Sequence, residues 1–569
     1  MRRRRKSEAS RIIAGSPAGR RHMQHAGTTD AGAKPAKPAL AWLWLVAVPV
    51  TLLLYAANLR LGDLNQDEGW YLYGASLVAE GRKPYIDFAH TQGPLMPYVY
   101  SLSKPMVDRW GIEGGRVFTA LLGALGVLLA ALFAGRLAPA GSRNCAALLA
   151  VGLTGINVYQ SYFTTIVKTY SLTAFLLLLG FWVLAHGWQG RNRLYLFMAG
   201  VFMMMAAGTR TSAVLVLPAV VAGLFAGGVR RHLVDALYFA AGAALTGGII
   251  YLPFALKSPD ALWFALYEYH SLRSPGTLAS YLAGKAGFVS RIAQDYYVAC
   301  SAMVVALAYR FFSARSGRQF EKLAAPAASE TPAPDGRLGD RHLVLAAWLG
   351  VGLVSLVHMM TPFPYDDYQV LIYPVFAAAV AGMLAKLANT QPRQAWLSVS
   401  VLLLCIASAF SSPINQRWLV AGRDRIWWPL RKETPLAVLH RAAETVKTLA
   451  APGTIILTQD PYLAVEAGLK IPRGLELGPF SYFPGFTRER AERLHVLNRE
   501  MFEELVESTD ARVAAFSEYG LAISSPEVVE LPAEEQKALW EIVEKKYAQK
   551  EEIAGFGQGD TKLRILAVK

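Results

Sequence analysis

Asp67 and Glu68 stand side by side in "LNQDEGWYLYGASLVAEGRKPYIDFAHTQGPLMPYVY", residues 64–100, directly after the first long apolar run. A carboxylate where a chain leaves hydrocarbon can take a proton from a hydroxyl. The two acids are not equivalent. Asn65-x-x-Glu68 has the spacing of a capping box, and Gly81 fits the stop of the same helix, so Glu68 has a structural duty open to it. Asp67 has no such duty and is the candidate general base. Both enter as candidate catalytic residues. The helix they start, about 67–80, carries Trp70, Tyr71, Tyr73, Leu77 and Val78 and is expected to lie along a membrane interface.

Three further groups could contact a substrate. In "PYIDFAHTQGPLMPY", Pro84, Pro94 and Pro97 pin the backbone, and Tyr85, Asp87 and His90 are contact candidates; His90 could be a second acid/base or an acceptor contact, with a hydrogen-bonding spacer as the alternative. Arg210 interrupts an apolar run, and Lys168 sits in a turn between two others. Two such cations suit an anion at the membrane surface, such as a lipid phosphate, with snorkelling to headgroups as the alternative. In "TPFPYDDYQ", 361–369, Asp366, Asp367 and Tyr368 could bind a sugar or a divalent ion, or the acids could cap the helix that follows.

The elements that must hold these residues follow from composition. Of 569 residues 53% are hydrophobic and 17% charged, and mean hydropathy is +0.28. Apolar stretches of about 20 residues recur, the length that crosses a ~30 Å hydrocarbon core. About eleven spans are expected, near 40–59, 116–134, 144–160, 169–187, 194–208, 211–228, 233–256, 290–312, 342–360, 369–388 and 395–412. Gly208-Thr209-Arg210-Thr211 breaks an apolar run too long for one crossing, so a tight turn is expected there. The net charge of +15 is not a nucleic-acid footprint, because the cations crowd in the N-terminal tail and in short loops. That pattern places the N-terminus in the cytoplasm and the C-terminal region outside. Residues 1–39 read as a disordered basic tail, 40–412 as the membrane domain, and 413–569 as a soluble extracytoplasmic α/β domain. Within the membrane domain, 60–115 and 257–289 are outer loops and 313–341 is a cytoplasmic linker. In the last region "TIILTQD" (454–460) and "RVAAFSEYG" (512–520) read as strands, and 434–450, 487–508 and 533–548 as amphipathic helices. Cys145, Cys300 and Cys405 fall in or beside apolar runs, with no metal or disulfide spacing. No Gly-rich phosphate loop is present to take a nucleotide-linked donor from the cytosol.

At these residues the chain resembles the GT-C glycosyltransferases that use polyprenyl-phosphate sugars, in the bacterial branch of the RgtA/B/C/D, aminoarabinose-transferase and protein O-mannosyltransferase-like enzymes. Asp67-Glu68 and "GRKPYIDFAHTQGPLMPYVY" carry the resemblance, with "AAGTRTSA" (206–213) and "YDDYQVLIYP" (365–374) as lesser matches. It covers about 40–412. It departs from the family at Lys168-Thr169, where many relatives have an acid, and at Asp366-Asp367, where many have a base before the tyrosine. The resemblance implies a multi-span helical fold and a monosaccharide donor carried on a polyprenyl phosphate. It implies a lipid, glycan or protein acceptor at the outer face, with membrane lipids as surroundings and no nucleic acid. Asp67 would be the base, Arg210 and Lys168 would meet the leaving phosphate, and the anomeric carbon would invert. No cofactor is called for, and a divalent cation stays open. The rival reading is a transporter or flippase of lipid-linked sugars, which would favour repeated, broken helices and acids at mid-span.

Overall fold

The long apolar runs become helices because nothing within a membrane can satisfy their backbone groups except the helix itself. The computed structural model describes residues 40–190, 192–273, 277–315, 340–388, 390–419 and 433–569. The expected tail 1–39, residues 316–339 of the expected linker, and residues 420–432 of the expected C-terminal domain lie outside the described residues.

The helices, in chain order, are α1 (Ala41–Leu61), α2 (Gln66–Ala79), α3 (Leu95–Ser101), α4 (Lys104–Leu137), α5 (Arg143–Gly155), α6 (Val158–Phe163), α7 (Thr169–Gly190), α8 (Arg193–Thr209), α9 (Val216–Ala226) and α10 (Val229–Lys257). After a run of short turns come α11 (Leu278–Asp295), α12 (Tyr297–Arg315), α13 (Asp340–Met360), α14 (Tyr373–Leu387) and α15 (Gln391–Leu419). Each of the eleven expected spans holds helix. Among the described residues, six helices are long and apolar enough to cross a membrane: α1, α4, α7, α10, α13 and α15. The pair α11–α12 makes a seventh if it is one span, but it is bent by 88°. The expected single span 290–312 is therefore broken at Tyr296, and α11 runs at nearly a right angle to α12. The apolar helices α8, α9 and α14 are shorter, so length and composition do not bring the count to eleven. The chain is a multi-pass helical membrane protein.

α2 departs from expectation in a different way. Trp70, Tyr71, Leu72, Tyr73, Ala75 and Leu77 are all buried, so this helix is covered by protein and not laid on lipid. Its large residues point all round the axis, and a helix apolar on every side is a buried one. α3 and α4 pack on it from the membrane part, and α17 (below) from the C-terminal region. Gly69 permits the last contact: a Cβ there would lie 2.3 Å from the Tyr462 backbone nitrogen.

The C-terminal region, 433–569, is a small α/β lobe. Its helices are α16 (Pro435–Leu449), α17 (Pro461–Ala467), α18 (Arg488–Leu494), α19 (Arg499–Ser508) and α20 (Ala533–Lys546). Its main sheet has the order β1 (Ile456–Thr458), β2 (Val513–Ser517), β6 (Thr561–Val568), β5 (Tyr547–Phe556). β1 and β2 are parallel; β2–β6 and β5–β6 are antiparallel. A separate two-stranded ribbon pairs β3 (Ile523–Ser524) with β4 (Val529–Glu530).

Candidate active site

Asn65 starts α2. Its side-chain oxygen accepts from Asp67 N at 3.1 Å, and Glu68 Oε1 accepts from Asn65 N at 3.1 Å, the reciprocal capping box expected from the spacing. Glu68 does more than cap. Arg116 on α4 donates to both its oxygens, Nε to Oε2 at 2.8 Å and Nη2 to Oε1 at 2.6 Å, and both side chains are fully buried. Val167 N adds a bond to Oε2 at 3.2 Å. The same arginine holds the carbonyls of Gly62 and Asp63. Glu68 is thus fastened on every side and does not line the cavity described next, so its candidacy as a reacting acid has no geometric support.

Asp67, one residue earlier, faces a cavity of about 310 Å³. Trp70 Nε1 donates to Asp67 Oδ1 at 3.1 Å, and the Lys168 ammonium lies 3.2 Å from Oδ2. Lys168 also reaches Asp367 Oδ2 at 2.8 Å, so one buried cation bridges two carboxylates. A carboxylate has about four lone-pair sites, so Asp67 still has capacity for a hydroxyl donor. The place between the acids where a divalent ion would sit is taken by the ammonium. Among the described residues no group of three or more His, Cys, Asp or Glu is gathered as metal ligands.

Arg210 caps the C-terminal end of α8 at the expected turn. Its guanidinium lies 4.6 Å from the centre of the Tyr368 ring and 5.2 Å from that of Tyr170, with a long bond of 3.4 Å to Gln92 Oε1. No carboxylate bridge to it is present among the described residues. Arg273 lines the same cavity, stacked 5.2 Å from Tyr269, and its buried Nε lacks a hydrogen-bond partner. Arg210, Arg273, Gln92, His270 and Tyr368 also border a second cavity of about 460 Å³, whose other walls include Val214, Leu215, Leu266, Val357, Met360 and Phe363. A polar chamber with excess positive charge therefore opens beside an apolar one. Burial, with Arg273 and Arg210 nearby, pushes His270 down to about 3. The neutral ring bonds the Thr91 carbonyl through Nε2 at 3.0 Å, so Nε2 carries the proton and Nδ1 is left an acceptor.

The cavity thus brings together Asp67, Lys168, Arg210, Asp367 and Tyr368 of the residues expected from sequence. It leaves out Tyr85, Asp87, His90 and Asp366. Asp87 closes its own loop, accepting from Lys83 N at 2.7 Å. Tyr85 is buried and donates to the Gln92 carbonyl, steadying the loop that presents Gln92. His90 packs behind Trp70 and Tyr71, and burial pushes it down to about 4. Asp366 accepts from Tyr159 at 2.8 Å and Arg291 at 3.0 Å, which ties the 366–371 turn to α11. Neither Asp366 nor Asp367 caps that turn, because both are spent on ion pairs. Sequence reading missed Arg273, although it is a cation in the aromatic segment 257–289, and that was the available signal. It also missed the far wall. Phe480, Tyr519, Ile523, Val528 and Gln558 of the C-terminal lobe roof the cavity, and no local motif marks them.

No protein-family model matches the chain, and no curated protein matches it in sequence. Solved structures do. ArnT from Cupriavidus metallidurans in the apo state is similar with a TM-score of 0.56 and 12% identity, over 93% of this chain and 98% of that chain. The same protein bound to undecaprenyl phosphate gives a TM-score of 0.54 and 11% identity over the same shares. A lesser likeness, TM-score 0.46 and 14% identity over 84% of this chain and 68% of that chain, is to the Archaeoglobus fulgidus oligosaccharyltransferase. The chain shares its fold with ArnT over 93% of its length.

Proposed function

We propose that this protein is an integral-membrane inverting glycosyltransferase that moves a monosaccharide from a polyprenyl-phosphate carrier to a lipid, glycan or protein acceptor. One observation carries the reading: Asp67 and Arg210 line one polar cavity, and its Arg210 side continues into an apolar one. A phosphate would rest against Arg210 and Arg273 with its isoprenoid in the apolar cavity. The fold is shared with a protein solved with undecaprenyl phosphate. Asp67 would take the proton of the attacking hydroxyl while the phosphate leaves with added negative charge near the guanidinia. A base on one side of the sugar and the leaving group on the other predicts inversion. Lys168 and Trp70 would aim the Asp67 carboxylate. The proposed topology has the N-terminus in the cytoplasm and the C-terminal lobe outside, and the proposed domains divide near residue 413.

The test is release of polyprenyl phosphate from a panel of polyprenyl-phosphate sugars by purified protein supplied with a membrane extract as the source of lipid, glycan and protein acceptors. Asp67→Asn is expected to lower release at least ~10²-fold, the scale of a lost acid–base group, with unchanged unfolding behaviour. Arg210→Ala is expected to raise the KM for the donor and not for the acceptor. Near-normal release by Asp67→Asn removes it as the base. Movement of intact donor across the bilayer without release makes the protein a flippase.

A further inference from the structure

The residue before Asp67 is held from the other lobe. Gln66 N donates to Gln558 Oε1 at 2.9 Å, and Gln66 Nε2 donates to the Tyr462 hydroxyl at 3.3 Å. Tyr462 passes its own proton to Asp460 Oδ1 at 3.1 Å. Asp460 is fully buried and also accepts from Ser517 N and Ser517 Oγ, each at 2.7 Å. Gly557, with φ of 68° at the tip of the β5–β6 hairpin, makes room for this: a Cβ there would lie 2.4 Å from the Tyr462 hydroxyl.

This chain of donors fixes which way two amides face. Tyr462 donates its hydroxyl proton to Asp460 and so can offer Gln66 only a lone pair. Gln66 therefore turns its NH₂ to Tyr462, and its Oε1 is left over. Gln558 uses its oxygen on the Gln66 backbone, and its NH₂ is left over. Gln66 is 4% exposed and its Oε1 has no hydrogen-bond partner. A buried, unpaired acceptor is costly to leave unmade, so a donor is expected to meet it. Both glutamines line the cavity that holds Asp67. A second orphaned acceptor, Asp367 Oδ1, lines it too. Trp70, Tyr269 and Tyr519 give the same space aromatic walls.

We infer that Gln66 Oε1 and Gln558 Nε2 form a hydroxyl-reading pair: one acceptor and one donor, contributed by the two lobes, that bind a single carbohydrate hydroxyl beside the base. A hydroxyl is both donor and acceptor and fits both at once. An ammonium satisfies only Gln66 and a carboxylate only Gln558. The pair thus selects a neutral polyol face, with Asp367 Oδ1 taking a second hydroxyl and the aromatic rings the apolar side of the sugar ring. This rests on the reading of the cavity as a sugar-transfer site. The hydroxyl belongs either to the transferred sugar or to a glycan acceptor.

The test is equilibrium binding of free hexoses and pentoses to the purified full-length protein in detergent. At least one sugar is expected to bind wild type, and to bind Gln66→Met and Gln558→Met ~10-fold or more weakly. The two variants lie on different lobes, so misfolding of one leaves the other informative. The deoxy form of that sugar lacking the hydroxyl is expected to bind wild type as weakly as the parent binds Gln66→Met, with no further loss in the variant. In transfer assays Gln66→Met raises the KM of the donor if the hydroxyl is on the transferred sugar, and of the acceptor if it is on the acceptor. Absence of binding by every sugar, or equal binding by wild type and both variants, overturns the pair. Binding by wild type without any release of polyprenyl phosphate leaves the pair standing and sinks the transferase reading instead.

Discussion

Two adjacent carboxylates in this protein have opposite fates. Glu68 is locked by the Arg116 fork inside the protein, whereas Asp67 meets the cavity with about a quarter of its side chain exposed (29%). Breaking a buried ion pair by removing one charge costs about 3–5 kcal/mol, because the survivor stays buried and uncompensated. Glu68→Gln is therefore expected to lower the unfolding midpoint sharply in detergent, and Asp67→Asn to leave it near wild type; equal midpoints for the two would contradict this division. Half of it was legible in sequence. The capping box is a local spacing of three residues and could be read. Arg116 lies 48 residues away in an apolar run, and only the fold brings it to Glu68. Asp366 and Asp367 show the same limit. Their cap-like position is visible in sequence, but Lys168, in the turn before α7, and Arg291, on α11, claim them from far along the chain.

At the scale of elements, the turn between α8 and α9 places Arg210, and the first loop presses on that turn. Gly93 makes the contact, since a Cβ there would lie 2.2 Å from the Gly208 carbonyl oxygen. Backbone on both sides leaves no flexible side chain to yield. Gly93→Ala is expected to cost about 1–3 kcal/mol as an overpacking change and to raise the donor KM by shifting Arg210. A donor KM equal to wild type would show that the turn does not position it. The turn itself was legible, because Gly208 to Thr211 interrupts an overlong apolar run. Helices 434–450 and 533–548 and strands 454–460 and 512–520 also match observed elements to within a few residues. The expected helix 487–508 is two helices, split where His495 adopts φ of 58°. The β5–β6 hairpin went unread because β5 carries charged residues on its exposed positions and lacks clean apolar alternation.

For the molecule as a whole, the buried histidines His90 and His270 tie stability to pH. Burial lowers His90 to about 4 in the folded protein, against an ordinary value near 6.5. A depressed folded value means the unfolded chain binds the proton first. The contribution is fully present above about pH 6.5 and is lost as pH falls toward and through 4, about 3 kcal/mol in all. His270 acts in the same direction. His90→Gln is expected to flatten the fall of the unfolding midpoint between about pH 7 and about pH 4; an unchanged slope would place the acid sensitivity elsewhere. Composition alone disclosed a helical membrane protein, since hydropathy is a property of long averages. The cavity did not show, because its walls come from segments scattered between Asn65 and Gln558.

That last fact bears on how the protein comes into being. Gln66 and Gln558 are separated by 492 positions yet share a hydrogen bond at 2.9 Å. Contacts this remote in sequence form only after the chain between them has been made and ordered. A ribosome would have inserted nearly every hydrophobic helix before Gln558 existed. Each half-made copy would carry its acid and its arginines in the bilayer without the roof that selects what may react. Selectivity is thus the last property the molecule acquires, and arrested chains ending before residue 558 should be inserted but blind to sugar, which crosslinking of such intermediates with a photoreactive monosaccharide would reveal.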